Sequence, residues 1–182
     1  MALIRESGMK KLNKINVSTL LLLVVMGLTG CSVKYSFNAG AIDYSKYTSI
    51  SISDFPNNSE LVNPTLSQIF AESLRDKFTR QTRLQVRKQD GDMHIEGEIV
   101  GYQLAAMAIS ADSYASETKL TLTINVRFND SKNPENSFDD SRYTASQLFD
   151  SNRMLADVEP ELIDILVKEI VDKIYNDTVA KW

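Results

Sequence analysis

The chain reads as an α+β protein, a two-layer sandwich with two helices packed on one face of a mostly antiparallel four- to five-stranded sheet. Three observations predict this. Leu120, Leu122, Ile124, Val126 and Phe128 alternate with Lys119, Thr121, Thr123, Asn125 and Arg127. That period of two gives a strand one buried face and one wet face. Leu66, Ile69, Phe70, Leu74 and Phe78 recur at helical spacing, and so do Ile163, Leu166, Val167, Ile170, Ile174 and Tyr175. Two helices with one apolar stripe each, and a sheet with one apolar face, bury that surface most simply as two layers.

The elements follow in order. Thr48–Ser53 alternates Ile50 and Ile52 with three serines and reads as a half-buried strand, ended by Phe55-Pro56-Asn57-Asn58. Asn63-Pro64 opens the first helix: Asn caps it, and the missing N–H of Pro costs nothing in the first turn. That helix should end between Arg80 and Thr82, before a strand starting at Leu84-Gln85-Val86. Asp90-Gly91-Asp92 is a turn, and Asp-Gly signals a hairpin. In the next strand Met93, Ile95, Gly97, Ile99 and Gly101 share one face, with Glu96 and Glu98 on the other. Residues 105–116 form a small-residue loop before the central strand, and a polar turn at 129–136 follows it. A last, edge-type strand covers roughly 137–149, and a helix runs from Asp157 to about Ala180 with Glu159, Glu161 and Asp164 at its positive end.

The N-terminus has a different character. Arg5, Lys10, Lys11 and Lys14 precede an apolar run from about Val17 to Leu28. That run is short of the ~20 apolar residues that span a bilayer, so residues 1–30 read as a removable secretory signal rather than an anchor helix. Leu28-Thr29-Gly30-Cys31 is similar to the bacterial lipobox, which implies cleavage before Cys31 and lipidation of its thiol. More than one acyl chain makes such anchoring stable. Cys31 is the only cysteine, which excludes an internal disulfide. Residues 31–46 then serve as lipidated cysteine and tether, and 47–182 as a single domain. Ser32, rather than Asp, follows the cysteine; by the sorting rules of such lipoproteins this implies the outer membrane, on its periplasmic side.

Loss of residues 1–30 removes four cations and one anion and takes the net charge from −4 to −7. A chain this acidic has no global attraction for nucleic acid. Catalysis finds little support. His94 is the only histidine and alternates away from Met93 and Ile95, and no further ligands stand at zinc or triad spacing. Glu96 and Glu98 form a carboxylate pair of the kind that solubilises an exposed strand. No cofactor, metal site or enzyme activity is expected.

Phe55-Pro56-Asn57-Asn58 and Leu61-Val62-Asn63-Pro64-Thr65-Leu66-Ser67-Gln68 resemble the LptE family of lipopolysaccharide-assembly lipoproteins. So do Asp90-Gly91-Asp92, Gly97-Glu98-Ile99, Glu161-Leu162-Ile163 and the closing Ala180-Lys181-Trp182. The resemblance covers nearly all of the mature chain and implies two helices on a four-stranded sheet. It also implies an outer-membrane lipoprotein that plugs the LptD β-barrel, its partner, and helps deliver lipopolysaccharide to the outer leaflet. The other reading is a pilotin or scaffold lipoprotein for a different envelope secretion machine.

Two sets of residues are candidates for contact. Arg80, Arg83, Arg87 and Lys88, with Lys119 and Arg127 on the wet sheet face, are candidates for lipopolysaccharide phosphate. The plain alternative is that cations near a helix C-terminus complement its dipole. Met107, Ile109 and Tyr114, in the loop before the central strand, are candidates for a partner or an acyl region.

Overall fold

The computed structural model describes residues 42–61, 63–107 and 116–180. The signal segment, Cys31, Ile109, Tyr114 and Trp182 lie outside them. The order is β1 (Ser49–Ile52), α1 (Leu66–Gln81), β2 (Gln85–Arg87), β3 (Met93–Ala106), β4 (Glu117–Asp130), β5 (Phe138–Asp150) and α2 (Leu155–Thr178). A short 3₁₀ turn at Pro134–Asn136 joins β4 to β5. The sheet has five strands in the order β2-β1-β3-β4-β5. It is mixed: β1 pairs parallel with β2 and with β3, while β3, β4 and β5 pair antiparallel.

The β1–α1–β2 unit accounts for one parallel pair, because a helix returns the chain to the same end of the sheet. The other comes from the Asp90-Gly91-Asp92 stretch, which is not a hairpin. Val86 and Met93 flank Ile50 from opposite sides, so the chain passes from β2 across β1 to β3 in a few residues. Gly91 lies directly on the β1 backbone there. A Cβ on it would sit 2.6 Å from Met93 O and 2.7 Å from Ile50 C, so no larger residue fits this passage. Asp90, at φ 59°, turns the chain into it. The crossing covers Ser49 and Ser51, which are buried although they face away from the helices.

The core lies between the helices and the other sheet face. Ile50, Ile52, Met93, Ile95, Ile99, Leu120, Leu122, Ile124, Val126 and Phe128 are buried from the sheet side. Leu66, Phe70, Leu74 and Phe78 meet them from α1, and Leu162, Leu166, Ile170 and Ile174 from α2. Phe55 packs edge-on to Phe70 at 4.8 Å, and its ring uses the space over Gly97, where a Cβ would approach Phe55 to 2.7 Å. The helices run parallel: Asn63 donates to Glu159 at 3.1 Å near one end, Lys77 pairs with Asp172 at 2.8 Å, and Tyr175 reaches Gln81 O near the other.

Four local readings change. A bulge between Ile99 and Gly101 shifts the register, so Gly101 lies opposite Thr123 on the wet face and Tyr102, opposite Leu122, enters the core. The strands extend into the stretch read as a loop, since β3 runs to Ala106 and Met107 N still bonds Glu117 O. Ile42, within the segment read as tether, is buried in the core. Asn63 and Pro64 precede α1 rather than cap it: the helix begins at Leu66 with Thr65 in the cap position, and Asn63 Oδ1 accepts from Thr65 N at 3.0 Å and Thr65 Oγ1 at 2.9 Å in the turn before it.

Candidate functional site

Side chains at alternate positions of a strand point to opposite faces. Here one face meets the helices and the other is left open. The open face is polar over its middle rungs. Thr121 Oγ1 lies 3.3 Å from Ser146 Oγ, and Thr123 Oγ1 lies 3.2 Å from Thr144 Oγ1. Arg142 Nε donates to Asn125 Oδ1 at 3.3 Å, and Arg127 Nε to Glu96 Oε1 at 2.9 Å. The Arg127 hydrogen bond holds the Glu96 carboxyl below the usual carboxylate range. A depression of about 310 Å³ between β3, β4 and β5 is lined by Gly97, Glu98, Asn125, Arg127, Asp139 and Asp140.

Ser51, His94 and Glu96 stand in the sequence of groups that a hydrolytic triad uses. Ser51 Oγ is 2.7 Å from His94 Nδ1, and Glu96 Oε2 is 3.5 Å from His94 Nε2. The Ser51 hydroxyl is not placed to attack a substrate. Ser51 is 1% exposed under the Gly91 crossing, and its hydroxyl also lies 3.3 Å from Met93 O. A nucleophile must reach a reacting atom, so this arrangement ties β1 to β3 instead. Among the described residues no group of His, Cys, Asp and Glu converges to hold a metal ion. No helix among them is long and apolar enough to cross a membrane.

The six basic candidates do not meet at one place. Arg80, on the last turn of α1, is ion-paired with Asp76 at 2.8 Å. Arg83 lies over the Tyr44 ring at 5.7 Å, close enough for cation–π attraction. Arg87 donates to Gln85 Oε1 at 2.8 Å on the short edge strand, next to exposed Lys88. Arg127 is paired with Glu96 on the open face. Lys119 lies eight residues away along β4, ~27 Å at the rise of a strand. Arg83, Arg87 and Lys88 are neighbours in sequence around β2; Arg127 and Lys119 stand on β4. Of the partner candidates only Met107 is described, and it is 40% exposed.

Two features escaped the pattern reading. One is the Tyr102 hydroxyl, which donates to Glu159 Oε1 at 2.6 Å; burial pushes its pKa up. The other is Asp130, fully buried at the end of β4. It accepts from Tyr47 at 2.9 Å and from the backbone of Lys132 and Asn133. Burial, and then the Asp130 hydrogen bond, push Tyr47 up to about 12. The only signal for it was an Asp at the sixth inward position of an alternating strand.

No curated protein sequence matches the chain. Solved structures to which the chain is similar include a minor lipoprotein from Acinetobacter baumannii, at 13% identity and TM-score 0.47 over 74% of this chain and 92% of that one. Lipoprotein B from Nitrosomonas europaea is 17% identical, at TM-score 0.45 over 73% and 84%. The PelC dodecamer from Paraburkholderia phytofirmans is 9% identical, at TM-score 0.45 over 77% and 93%. The family model described as LptE, lipopolysaccharide-assembly, matches residues 47–178, from Tyr47 at the mouth of the core to Thr178 at the end of α2, and the chain belongs to that family.

Proposed function

We propose that this protein is an outer-membrane lipoprotein, held by acyl chains on Cys31 at the periplasmic side. In this reading it binds and plugs an LptD-like β-barrel and assists the insertion of lipopolysaccharide into the outer leaflet. Beside family membership, the observation that supports this reading is the open, hydroxyl-rich sheet face. A barrel lumen is lined by polar side chains, because lumen-facing and lipid-facing residues alternate along its strands. A plug therefore needs a surface that exchanges hydrogen bonds with polar walls. Thr121, Thr123, Asn125, Thr144 and Ser146 are such a surface: their bonds to one another are long and exposed, so a partner replaces them at little cost. No covalent step is assigned to the chain; it contributes shape and contacts, and the work of export is done elsewhere.

The test is extraction of the barrel from envelopes in mild detergent through a tag on this protein. The expected result is stoichiometric recovery of the barrel and a mature N-terminus at a lipid-modified Cys31. Absence of any barrel, or an unmodified Cys31 sulfur, overturns the reading. The Arg83, Arg87 and Lys88 group is the part best placed to meet lipid A phosphates, since guanidinium forks bind phosphate bidentately. Arg83→Glu combined with Arg87→Glu is expected to weaken lipopolysaccharide binding about tenfold. The unfolding midpoint should move by under ~1 kcal/mol, because both side chains are exposed and only the Arg83 contact with the Tyr44 ring is lost. Unchanged binding in a pull-down removes the group from the account.

A further inference from the structure

Seven large apolar side chains are exposed among the described residues, and four of them gather at one end of the sheet. Leu104 is 43% exposed, Met107 40%, Leu148 49% and Met154 75%. The pairing brings them together. Ala105 and Leu148 both flank Lys119; Met107 bonds to Glu117; Met154 follows β5 at the entry to α2. Leu104 extends the apolar side onto the helix face of the sheet and Leu148 onto the open face, so the group wraps the end. Isolated exposed leucines are ordinary, but a cluster that includes a methionine exposed over three quarters of its surface marks a contact.

Charge says what covers it. Glu117 and Asp150 are directly paired across β4 and β5 at the last rung, and both are exposed. Like charges in that position repel. Asp150 is used locally, accepting from Asn152 N at 2.8 Å, but Glu117 has no ion pair among the described residues. Asp157 and Glu161 add negative charge from the first turns of α2, while Lys119 beside Leu148 and exposed Arg153 beside Met154 offset part of it. The excess is acidic, which disfavours an anionic lipid headgroup and a second copy of the same end. The position agrees: the described chain enters at Ile42, beside the Tyr47–Asp130 end, thirteen residues of β4 from Glu117, or ~43 Å.

Resting on the barrel-binding reading above, we propose that this end is a protein-docking surface whose occupant is a part of the barrel partner that brings apolar side chains flanked by lysine or arginine. Leu104, Leu148 and Met154 supply the apolar contact, and Glu117 supplies the charge that selects the partner.

The experiment measures recovery of the co-expressed barrel by the full-length protein and by Leu148→Asn/Met154→Asn, Met154→Glu and Glu117→Lys. Met154→Glu is the variant that disturbs the core least, since its side chain is three-quarters solvent-exposed. Wild type recovering the barrel, with at least tenfold less for the first two variants and a several-fold loss for Glu117→Lys that fades at high salt, supports the proposal. Wild-type recovery matched by every variant overturns it and leaves the barrel reading intact. No recovery by wild type overturns both. Binding to phosphatidylglycerol vesicles that the Met154→Glu variant loses, or a wild-type dimer that it loses, assigns this end to lipid or to a second copy and overturns the proposal.

Discussion

Asp92 joins three parts of the chain through one side chain. Its Oδ2 accepts from Thr48 N at 2.8 Å, Thr48 Oγ1 at 2.9 Å and Ser49 N at 3.1 Å, and Lys132 Nζ is 3.3 Å from Oδ1. The Thr48 backbone bond is the main cause of a pKa held far below the usual carboxylate range, helped by the Thr48 hydroxyl, Lys132 and Ser49 against the cost of burial. A depressed carboxylate contributes its stability above its unfolded pKa, about 4, and loses it as pH falls toward the folded value. Asp92→Asn should therefore cost about 2 kcal/mol at pH 6, the scale of hydrogen bonds to a charged group. The gap between wild type and variant should narrow steadily below pH 4, and urea unfolding midpoints between pH 6 and pH 2 measure it. A gap that stays constant over that range rejects the role of ionised Asp92. Asp92 was legible as a turn residue, from Asp-Gly. Its partners were not, because Thr48 and Ser49 lie more than forty residues earlier in the chain.

The elements were legible where burial is one-sided and periodic. α1, α2 and β4 appear nearly where their stripes put them, because each stripe has a single apolar face to bury. Two features at element level depend on what lies across the strand. The mixed topology arises because β1 inserts between β2 and β3, and no local pattern separates a two-residue hairpin from a tight crossing. The β3 bulge inserts a residue at Val100, so the alternation continues on paper through Gly101 but passes in space to Tyr102. Deleting Val100 tests this. Without the extra residue Gly101 follows Ile99 directly, still opposite Thr123, and Tyr102, 1% exposed and bonded to Glu159, keeps its place opposite Leu122 in the core. A one-residue slip would instead move every later side chain to the other face, and loss of the buried ring alone is worth about 3 kcal/mol or more. The expected outcome is a cooperative unfolding midpoint shifted by less than about 1.5 kcal/mol; a loss of about 3 kcal/mol or more would mean that Tyr102 has left the core and that Val100 is not the inserted residue.

At the scale of the whole molecule the two faces of β4 do different work, and a pair of substitutions separates them. Leu122 is fully buried under the helices, while its neighbour Thr123 lies on the open face, its hydroxyl 3.2 Å from that of Thr144. Leu122→Ala removes packed methylenes and leaves a cavity, so it should lower stability by about 2–5 kcal/mol. Once the variant is folded below its midpoint, its barrel recovery should be unchanged. Thr123→Lys leaves the core untouched and should change stability by under ~0.5 kcal/mol, the range of surface substitutions. It nonetheless places a charged amine where a closely fitted polar wall would have to accommodate it. Burying a charge without a partner is costly, so barrel recovery should fall about tenfold or more. Thermal unfolding and tagged co-purification, run on both variants, give four readings. Fold and partner contact are separable if stability falls only for Leu122→Ala and recovery only for Thr123→Lys. If Thr123→Lys retains full recovery, the open face is not the surface that meets the barrel, whatever the stability of either variant.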